Sequence, residues 1–240
     1  MTFAPQPDRV PRGLLVDYGG VLTTNVFEGF YEFERAEGLE RGTVSRLFRA
    51  DPSARELLIR MELGAGTDAQ FESGLAALLG VSADGLIPRL LTVGPDEAMI
   101  GAVRAIRRSG VRTGLVSNSW GLGGYPPDLL RELFDAVILS GEVGLRKPDP
   151  EIYRLGAREL GVEPAECVFV DDLPVNLVPA TGLGMIGLHH TDPAHTLAAL
   201  GRLFRLDVGY TRLAQEDNRA DTDADTTMEH GSDPDPAQAR

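Results

Sequence analysis

Cysteine is almost missing from this chain, since Cys167 is the only one among 240 residues. A single thiol excludes a disulfide within the chain, so the fold must depend on a buried apolar core. Hydrophobic residues make up 42% of the sequence, which is enough to form one. The shortage of cysteine fits a reducing compartment, and we expect a cytoplasmic protein.

Long apolar runs are also missing, and none approaches the roughly 20 residues that a membrane-spanning helix requires. The first twelve residues contain no apolar stretch of the kind found in secretion signals. We therefore expect no membrane partner and no export signal.

Basic residues are in deficit, with 23 Lys and Arg against 36 Asp and Glu and a formal net charge of −13. This balance argues against nucleic acid as a partner, because phosphate backbones bind basic patches. Much of the negative charge is local: eight acidic residues and two arginines lie between Gln215 and Arg240. The apolar residues there are only Ala and Met, so we expect residues 209–240 to form an acidic, disordered tail.

Strand-length apolar runs alternate with helix-like segments along most of the chain. The predicted strands are Gly13–Asp17, Arg112–Ser117, Ala136–Leu139, Cys167–Val170 and Met185–Leu188. The predicted helices among them are Asp96–Ser109, Pro127–Phe134, Glu151–Leu160 and Val175–Gly182. This alternation predicts an α/β fold, a doubly wound, Rossmann-like parallel sheet covered by helices on both faces.

The pattern changes from about Val26 to Leu91, where several helical stretches occur without a convincing strand. A capping box at Thr67–Gln70 starts one of these helices. The segment is too long for a loop, so we expect an inserted α-helical cap domain. The predicted boundaries are a core of residues 1–24 and 93–208 and a cap of residues 25–92. Aromatic residues at the start of the cap (Phe27, Phe30 and Tyr31) would present an apolar patch that favours a homodimer.

Polar groups stand at or just after the ends of several apolar runs, or in a loop between them. They are Asp17, Ser117, Asn118, Lys147, Asp171 and Asp172. Because neighbouring parallel strands end at one crevice, we expect these groups to share a single site. Three carboxylates, a hydroxyl, an amide and an ammonium suit a metal ion together with a phosphate.

Taken singly, most of these residues also have a structural explanation, as turn caps or as a solvated lysine. The adjacent acids Asp171 and Asp172 are harder to explain in that way, because they repel each other and a bound cation would relieve the repulsion. Asn176 follows closely enough in the chain to hydrogen-bond to these carboxylates and orient them toward a metal ion.

Together the segments resemble the haloacid dehalogenase superfamily, most of whose members are phosphohydrolases. The resemblance covers roughly residues 12–204. Two stretches, Gly141–Tyr153 and Val168–Leu177, are especially similar to the branch that includes the phosphatase domain fused to soluble epoxide hydrolases. Members of that branch carry a helical cap directly after the first strand.

The resemblance implies a Mg²⁺-dependent phosphatase acting on a small phosphorylated metabolite, with Asp17 as the nucleophile that forms an aspartyl phosphate. It assigns the metal ligands to the Asp17 carboxylate, the backbone carbonyl of Gly19 and Asp172, with Asp171 as a further ligand or a residue behind the ligands. Such a metal ion would bridge the nucleophile and the substrate.

The resemblance also implies how the phosphoryl group is held. Ser117 and the amide of Asn118 donate hydrogen bonds to it, Lys147 neutralises its charge, and Gly20 lets the backbone approach it closely. The cap would exclude water and select the leaving group.

Gly19 departs from the family pattern, which places a second aspartate two residues after the nucleophile to protonate the leaving oxygen. Losing a general acid–base typically costs roughly 10²–10⁴-fold in rate. Three explanations are open: a substrate with a good leaving group, a proton supplied by Glu28, Glu32 or Glu62 of the cap, or lost catalysis with phosphate binding retained.

Two alternatives to a phosphatase follow. One is a binding or regulatory module that senses a phosphorylated metabolite, which Gly19 favours. The other is a 2-haloacid dehalogenase, which needs no metal and tends to carry a tyrosine two residues after the nucleophile. Tyr18 is one position off, and Trp120 would line a halide pocket or simply pack in the core. The acidic pair Asp171–Asp172 argues against the dehalogenase.

Overall fold

A computed structural model describes residues 10–121 and 123–208, and the predicted acidic tail lies outside these residues. Five strands form one parallel sheet with the order β3-β2-β1-β4-β5. The strands are β1 (Gly13–Val16), β2 (Arg112–Ser117), β3 (Ala136–Leu139), β4 (Cys167–Asp171) and β5 (Ile186–His189). The predicted parallel sheet is confirmed, and each strand lies within one residue of its predicted bounds.

Eleven helices occur in the described part of the chain. Those between β1 and β2 are α1 (Val26–Ala36), α2 (Thr43–Ala50), α3 (Pro52–Glu62), α4 (Asp68–Leu79), α5 (Leu86–Leu90) and α6 (Glu97–Arg108). Those after β2 are α7 (Pro127–Leu133), α8 (Ser140–Val143), α9 (Pro150–Leu160), α10 (Pro174–Gly182) and α11 (Pro193–Phe204). A short 3₁₀ turn, Pro164–Glu166, precedes β4.

The central strands β1 and β4 are buried on both faces, as the middle of a parallel sheet covered by helices must be. Alternate side chains point to opposite faces. Leu14 and Val16 pack into the core that includes α6 and α11, whereas Leu15 packs on the other side with residues of α9 and α10. The helices therefore cover both faces of the sheet, as the alternating pattern predicts.

Helices α1 to α5, here called the helical insertion, share a hydrophobic core of their own. Its buried members include Phe30, Phe33, Phe71, Leu75 and Leu86. The predicted capping box is present at the start of α4, where Thr67 and Gln70 exchange backbone and side-chain hydrogen bonds. The expectation of several helices in this segment is confirmed, while its exact division from the core stays a prediction.

No helix in the described part of the chain combines the length and the apolar composition needed to cross a membrane.

The helical insertion contacts the sheet domain closely at Gly64, which follows α3. Gly64 has a left-handed backbone (φ +66°), and a Cβ there would lie 2.2 Å from the carbonyl oxygen of Gly141 in α8. Two backbones can approach this closely only where neither carries an obstructing side chain.

The replacement Gly64→Ala should therefore destabilise the protein in two ways. The left-handed backbone costs an alanine about 1–2 kcal/mol, and the overlap with Gly141 adds about 1–3 kcal/mol. Gly38→Ala is the matched control, because Gly38 also has a positive φ (+70°) but open space around its Cβ. Urea unfolding measures both losses in the free energy of unfolding, and equal losses would contradict the close contact at Gly64.

Candidate active site

Asp17 lies directly after β1, at the edge of the sheet where the strands end. Its backbone N–H donates to the carbonyl of Val170 in β4. Its Oδ1 accepts hydrogen bonds from the backbone N–H of Tyr18 and from Lys147 Nζ, both at 2.7 Å. The nucleophile predicted from the sequence is thus a largely buried carboxylate with both partners on one oxygen.

Lys147 is the only lysine in the whole sequence, and its ammonium is buried. Nζ lies 2.7 Å from Asp17 Oδ1 and 2.7 Å from Asp171 Oδ2. Burial by itself would lower the pKa of Lys147, but the charges of Asp17 and Asp171 outweigh it and raise that pKa. Lys147 is therefore a fixed positive charge between two strand ends rather than a solvated surface residue.

The side chain of Asn118 holds the backbone of this lysine in place. Its Oδ1 accepts from the N–H of Lys147 at 2.8 Å, and its Nδ2 donates to the carbonyl of Lys147 at 2.9 Å. The side-chain amide is therefore engaged with the lysine loop. Only the backbone amide of Asn118 is left for the phosphoryl contact that the family resemblance implies.

Asp171 is fully buried, and both of its oxygens have protein partners. Oδ2 accepts from Lys147, and Oδ1 accepts from the N–H of Leu173 and from Asn176 Nδ2, both at 2.9 Å. The predicted support from Asn176 thus exists, and it acts on Asp171. Asp171 orients the lysine, and Asp172 is the freer of the two adjacent acids.

The three carboxylates form a compact group, with oxygens of Asp17, Asp171 and Asp172 all within 4.8 Å of one another. Burial, reinforced by the charges of the other two acids, raises the pKa of Asp172 to about 7. Burial also raises the pKa of Asp17 to about 6; Lys147 opposes this shift and Asp171 adds to it. One ammonium cannot balance three carboxylates, so the group has a deficit of positive charge.

This donor set fits a hard divalent cation, which prefers oxygen ligands and would neutralise the excess negative charge. Asp172 lies close to the backbone of Gly20, which has a left-handed conformation (φ +73°). A Cβ at this position would lie only 2.6 Å from Asp172 Oδ2, so the carboxylate fits only because glycine has none. Gly20 therefore has to be glycine at this position. Gly19 lines the same cavity as Asp17 and Asp172.

Ser117 ends β2 beside Asp17, and its hydroxyl lies 2.9 Å from the hydroxyl of Tyr125. The Tyr125 ring in turn packs against Tyr18, with 4.8 Å between the ring centroids. Burial raises the pKa of Tyr125 well above its ordinary value, so its hydroxyl stays protonated. Tyr125 was not predicted from the sequence, because it lies in a loop where no periodicity marks it.

A cavity of about 1260 Å³ extends from Asp17 and Lys147 to the helical insertion. Its walls beyond the charged floor are mostly apolar, and they include Phe27, Phe30, Tyr31, Phe48, Leu58 and Trp120. Trp120 packs among three aromatic rings of the insertion, those of Phe30, Phe48 and Phe71. It thus lines the cavity and also packs in the core of the insertion.

The aromatic residues expected to form a surface patch do not form one. Phe30 is buried, whereas Phe27 and Tyr31 are partly buried and line the cavity. The buried aromatic residues of α1, Phe30 and Phe33, pack in the core of the insertion itself. The homodimer stays a prediction, now without this patch as its basis.

Of the three glutamates proposed as proton donors, only Glu62 reaches the cavity. It ends α3, is buried, and is paired with Nε of Arg146, the neighbour of Lys147. Burial raises the pKa of Glu62, with Arg146 opposing the shift. Glu28 and Glu32 are exposed on α1 and do not line the cavity, because they lie on the outer face of the helix.

The buried position of Lys147 sets an expectation for stability. Lys147→Met leaves Asp17 and Asp171 without their shared cation, and breaking a buried ion pair in this way costs about 3–5 kcal/mol. Arg154→Met is the control, because Arg154 and Glu151 form an exposed pair of the kind worth about 0–1 kcal/mol. Chemical denaturation in EDTA compares the free energies of unfolding, and similar losses would contradict the role given to Lys147.

Comparisons with known proteins identify the family of this chain. A model of haloacid dehalogenase-like hydrolases matches residues 11–181. The chain is 35% identical over 117 residues to the sesquiterpene phosphatase astK of Aspergillus oryzae, a match covering 45% of this chain and 57% of that protein. It is 34% identical over 115 residues to bifunctional epoxide hydrolase 2 of Rattus norvegicus, covering 45% of this chain and 21% of that protein.

A solved structure is also similar, that of the family enzyme BT-2542 from Bacteroides thetaiotaomicron in complex with magnesium and inorganic phosphate. It has a TM-score of 0.57 and 23% identity, over 75% of this chain and 93% of that chain, and this likeness establishes a shared fold. With a family model that spans most of the described residues, the chain belongs to the haloacid dehalogenase-like hydrolases.

Proposed function

We propose that this hydrolase is a Mg²⁺-dependent phosphatase, which cleaves a small phosphate monoester through an aspartyl phosphate on Asp17. The observation that carries the proposal is the Lys147 ammonium, buried between Asp17 and Asp171 with Asp172 beside them. A halide-releasing enzyme has no need of a third carboxylate at this position. The name of the fungal relative, a sesquiterpene phosphatase, supports the same reaction class.

Asp17 and Asp172 are the side chains that would hold the metal ion, with the backbone carbonyl of Gly19 and, further away, Asp171. Mg²⁺ prefers such oxygen donors and keeps part of its hydration shell. When bound, it neutralises charge on the phosphoryl oxygens and offsets the carboxylates around it. The magnesium and phosphate described for the Bacteroides enzyme are consistent with this assignment.

The protein groups position the reacting atoms. The N–H of Tyr18 and the ammonium of Lys147 fix one oxygen of Asp17, which leaves the other free to attack phosphorus. As the new bond between Asp17 and phosphorus forms, the ester bond breaks, and its electron pair leaves on the alcohol oxygen. Ser117, the backbone amide of Asn118 and Lys147 stabilise the charge on the transferring group.

A water molecule then attacks the phosphorus of the aspartyl phosphate. The bond to Asp17 breaks, phosphate is released and the carboxylate is regenerated. Gly19 supplies no side chain for moving protons in either half of the reaction. The chemistry at this site therefore depends on positioning and charge stabilisation more than on proton transfer.

Gly19 also favours a second candidate function, a module that binds a phosphorylated metabolite without turning it over. The lysine and the carboxylates would then hold the phosphate and its counter-ion as a regulatory signal. Burying four charged groups is costly unless they have a role. Turnover of a generic phosphate ester separates the two functions.

The proposed activity is tested with para-nitrophenyl phosphate, with and without Mg²⁺. We expect turnover by the wild type that EDTA abolishes, because nitrophenolate leaves without protonation. Gly19→Asp is compared with Gly19→Ala, since a Cβ at this position lies 3.2 Å from Val26 Cγ2 in both variants. A silent wild type with an active Gly19→Asp would indicate a phosphate site that has lost its acid–base. No turnover by either the wild type or Gly19→Asp would favour the binding module.

The nucleophile is tested by Asp17→Asn. We expect turnover to fall to the level of the reaction without enzyme, because the amide cannot form the aspartyl phosphate. Lys147 keeps its partner Asp171 in this variant, so the melting temperature should change little. Circular dichroism checks the fold, and an unchanged turnover number would refute the assignment of Asp17.

A further inference from the structure

Among the described residues that line the cavity, every carboxyl group belongs to the nucleophile and metal site, is paired, or is exposed, so none is placed as a free acid for a leaving oxygen. The carboxyl groups there are Asp17 and Asp172 of the site, Glu62, and Glu97. Glu62 is buried, which raises its pKa, and its carboxyl group is already engaged by Nε of Arg146. Glu97 is exposed in the first turn of α6. The hydroxyls of Ser117 and Tyr125 are hydrogen-bonded to each other.

Without a proton donor, the alcohol has to leave as an anion, and the cost of that step depends on the alcohol. The pKa of an alkyl alcohol is close to that of water, which is about 15.7. A phenol resembles the tyrosine side chain, whose pKa is about 10. A site without an acid therefore discriminates strongly in favour of esters of phenols.

The aromatic residues that line the cavity away from Asp17 and Lys147 are also suited to esters of phenols. The ring of Trp120 lies 5.8 Å from that of Phe30 and 5.7 Å from that of Phe48, the second in an edge-to-face arrangement. Phe27 lies edge-to-face against Phe30 at 5.9 Å. Aromatic rings bind further aromatic rings in such tilted geometries at centroid distances of about 4.5–7 Å.

The cavity is larger than a very small ester requires. Its volume is about 1260 Å³, whereas cavities for drug-sized ligands measure about 300–1,000 Å³. Because the aromatic wall is continuous with the floor formed by Asp17 and Lys147, a ligand whose phosphate is on the floor extends its leaving group into the wall.

From the missing acid at Gly19 and the aromatic cavity above it, we propose that the natural substrate is the phosphate monoester of a bulky phenol. This inference rests on the proposed phosphatase activity. The Asp17 oxygen displaces the phenolate oxygen from phosphorus, and the phenolate takes its proton from water after it has left. Water then releases phosphate from Asp17, so that ester and water give phenol and inorganic phosphate.

The first experiment compares 1-naphthyl phosphate with decyl phosphate, two esters with the same number of carbon atoms and different leaving groups. In the wild type we expect kcat/KM to be at least roughly 10²-fold higher for the naphthyl ester, the lower end of what a general acid contributes. Gly19→Asp should raise kcat/KM for decyl phosphate more than for naphthyl phosphate.

Equal values of kcat/KM for the two esters in the wild type would overturn the proposal. If Glu62→Gln then abolished turnover of decyl phosphate alone, Glu62 would be the acid that the proposal excludes. Turnover of para-nitrophenyl phosphate is measured in parallel. Its absence refutes the phosphatase itself, whereas its presence without a preference for the naphthyl ester refutes only the inference about the substrate.

The second experiment tests the wall. Leu58 of α3 lines the cavity and Leu78 of α4 does not, and both are helical leucines of the insertion. Leu58→Gln should lower kcat/KM for naphthyl phosphate by roughly tenfold relative to phenyl phosphate, the loss expected when an apolar contact in a binding pocket is removed. Leu78→Gln should leave this ratio unchanged, and an equal effect of both variants would contradict the assigned wall.

Discussion

The buried ammonium of Lys147 is the interaction on which the rest of the site depends. It lies between two carboxylates that follow from neighbouring strands, because β1 and β4 pair in parallel with Val16 opposite Val170. The strand order reverses at this pair, with β2 on one side of β1 and β4 on the other. Such a switch point opens a crevice at the strand ends, where α/β proteins bind ligands. The sheet topology thus decides which acids the lysine can reach.

The fold could be predicted from the sequence because its signals are local. The run Leu14–Leu15–Val16 is buried on both faces, and such strands are continuously apolar. Polar residues directly after β1 and at the end of β4 mark where these strands end, which places Asp17 and Asp171 without knowledge of the tertiary structure. The capping box at Thr67–Gln70 likewise fixes the start of α4 within the chain segment that it caps.

The contacts that sequence reasoning missed are not marked by any local pattern in the chain. Asn118 and Lys147 are 29 residues apart, and nothing local indicates that the asparagine side chain holds the lysine loop. Tyr125 reaches Ser117 only because its loop folds back over the end of β2. The composition nevertheless carries a signal for Lys147. It is the single lysine among 23 Lys and Arg residues, so the chain uses arginine at every other such position. Lysine is a compact point charge, whereas the planar guanidinium of arginine presents a wide fork of donors.

The helical insertion and the chain segment that carries Lys147 are held together by an ion pair and a hydrogen bond. Glu62 at the end of α3 pairs with Arg146, and its backbone carbonyl accepts a hydrogen bond from the hydroxyl of Ser140. Arg146 is the residue next to Lys147, so the loop that carries the buried ammonium is also tied to the end of α3. We therefore expect a change at the end of α3 to affect the position of the lysine between its two carboxylates. Displacements of about 1 Å at a reacting centre are costly in rate, so under the proposed function the insertion would select among substrates through catalysis as well as through binding.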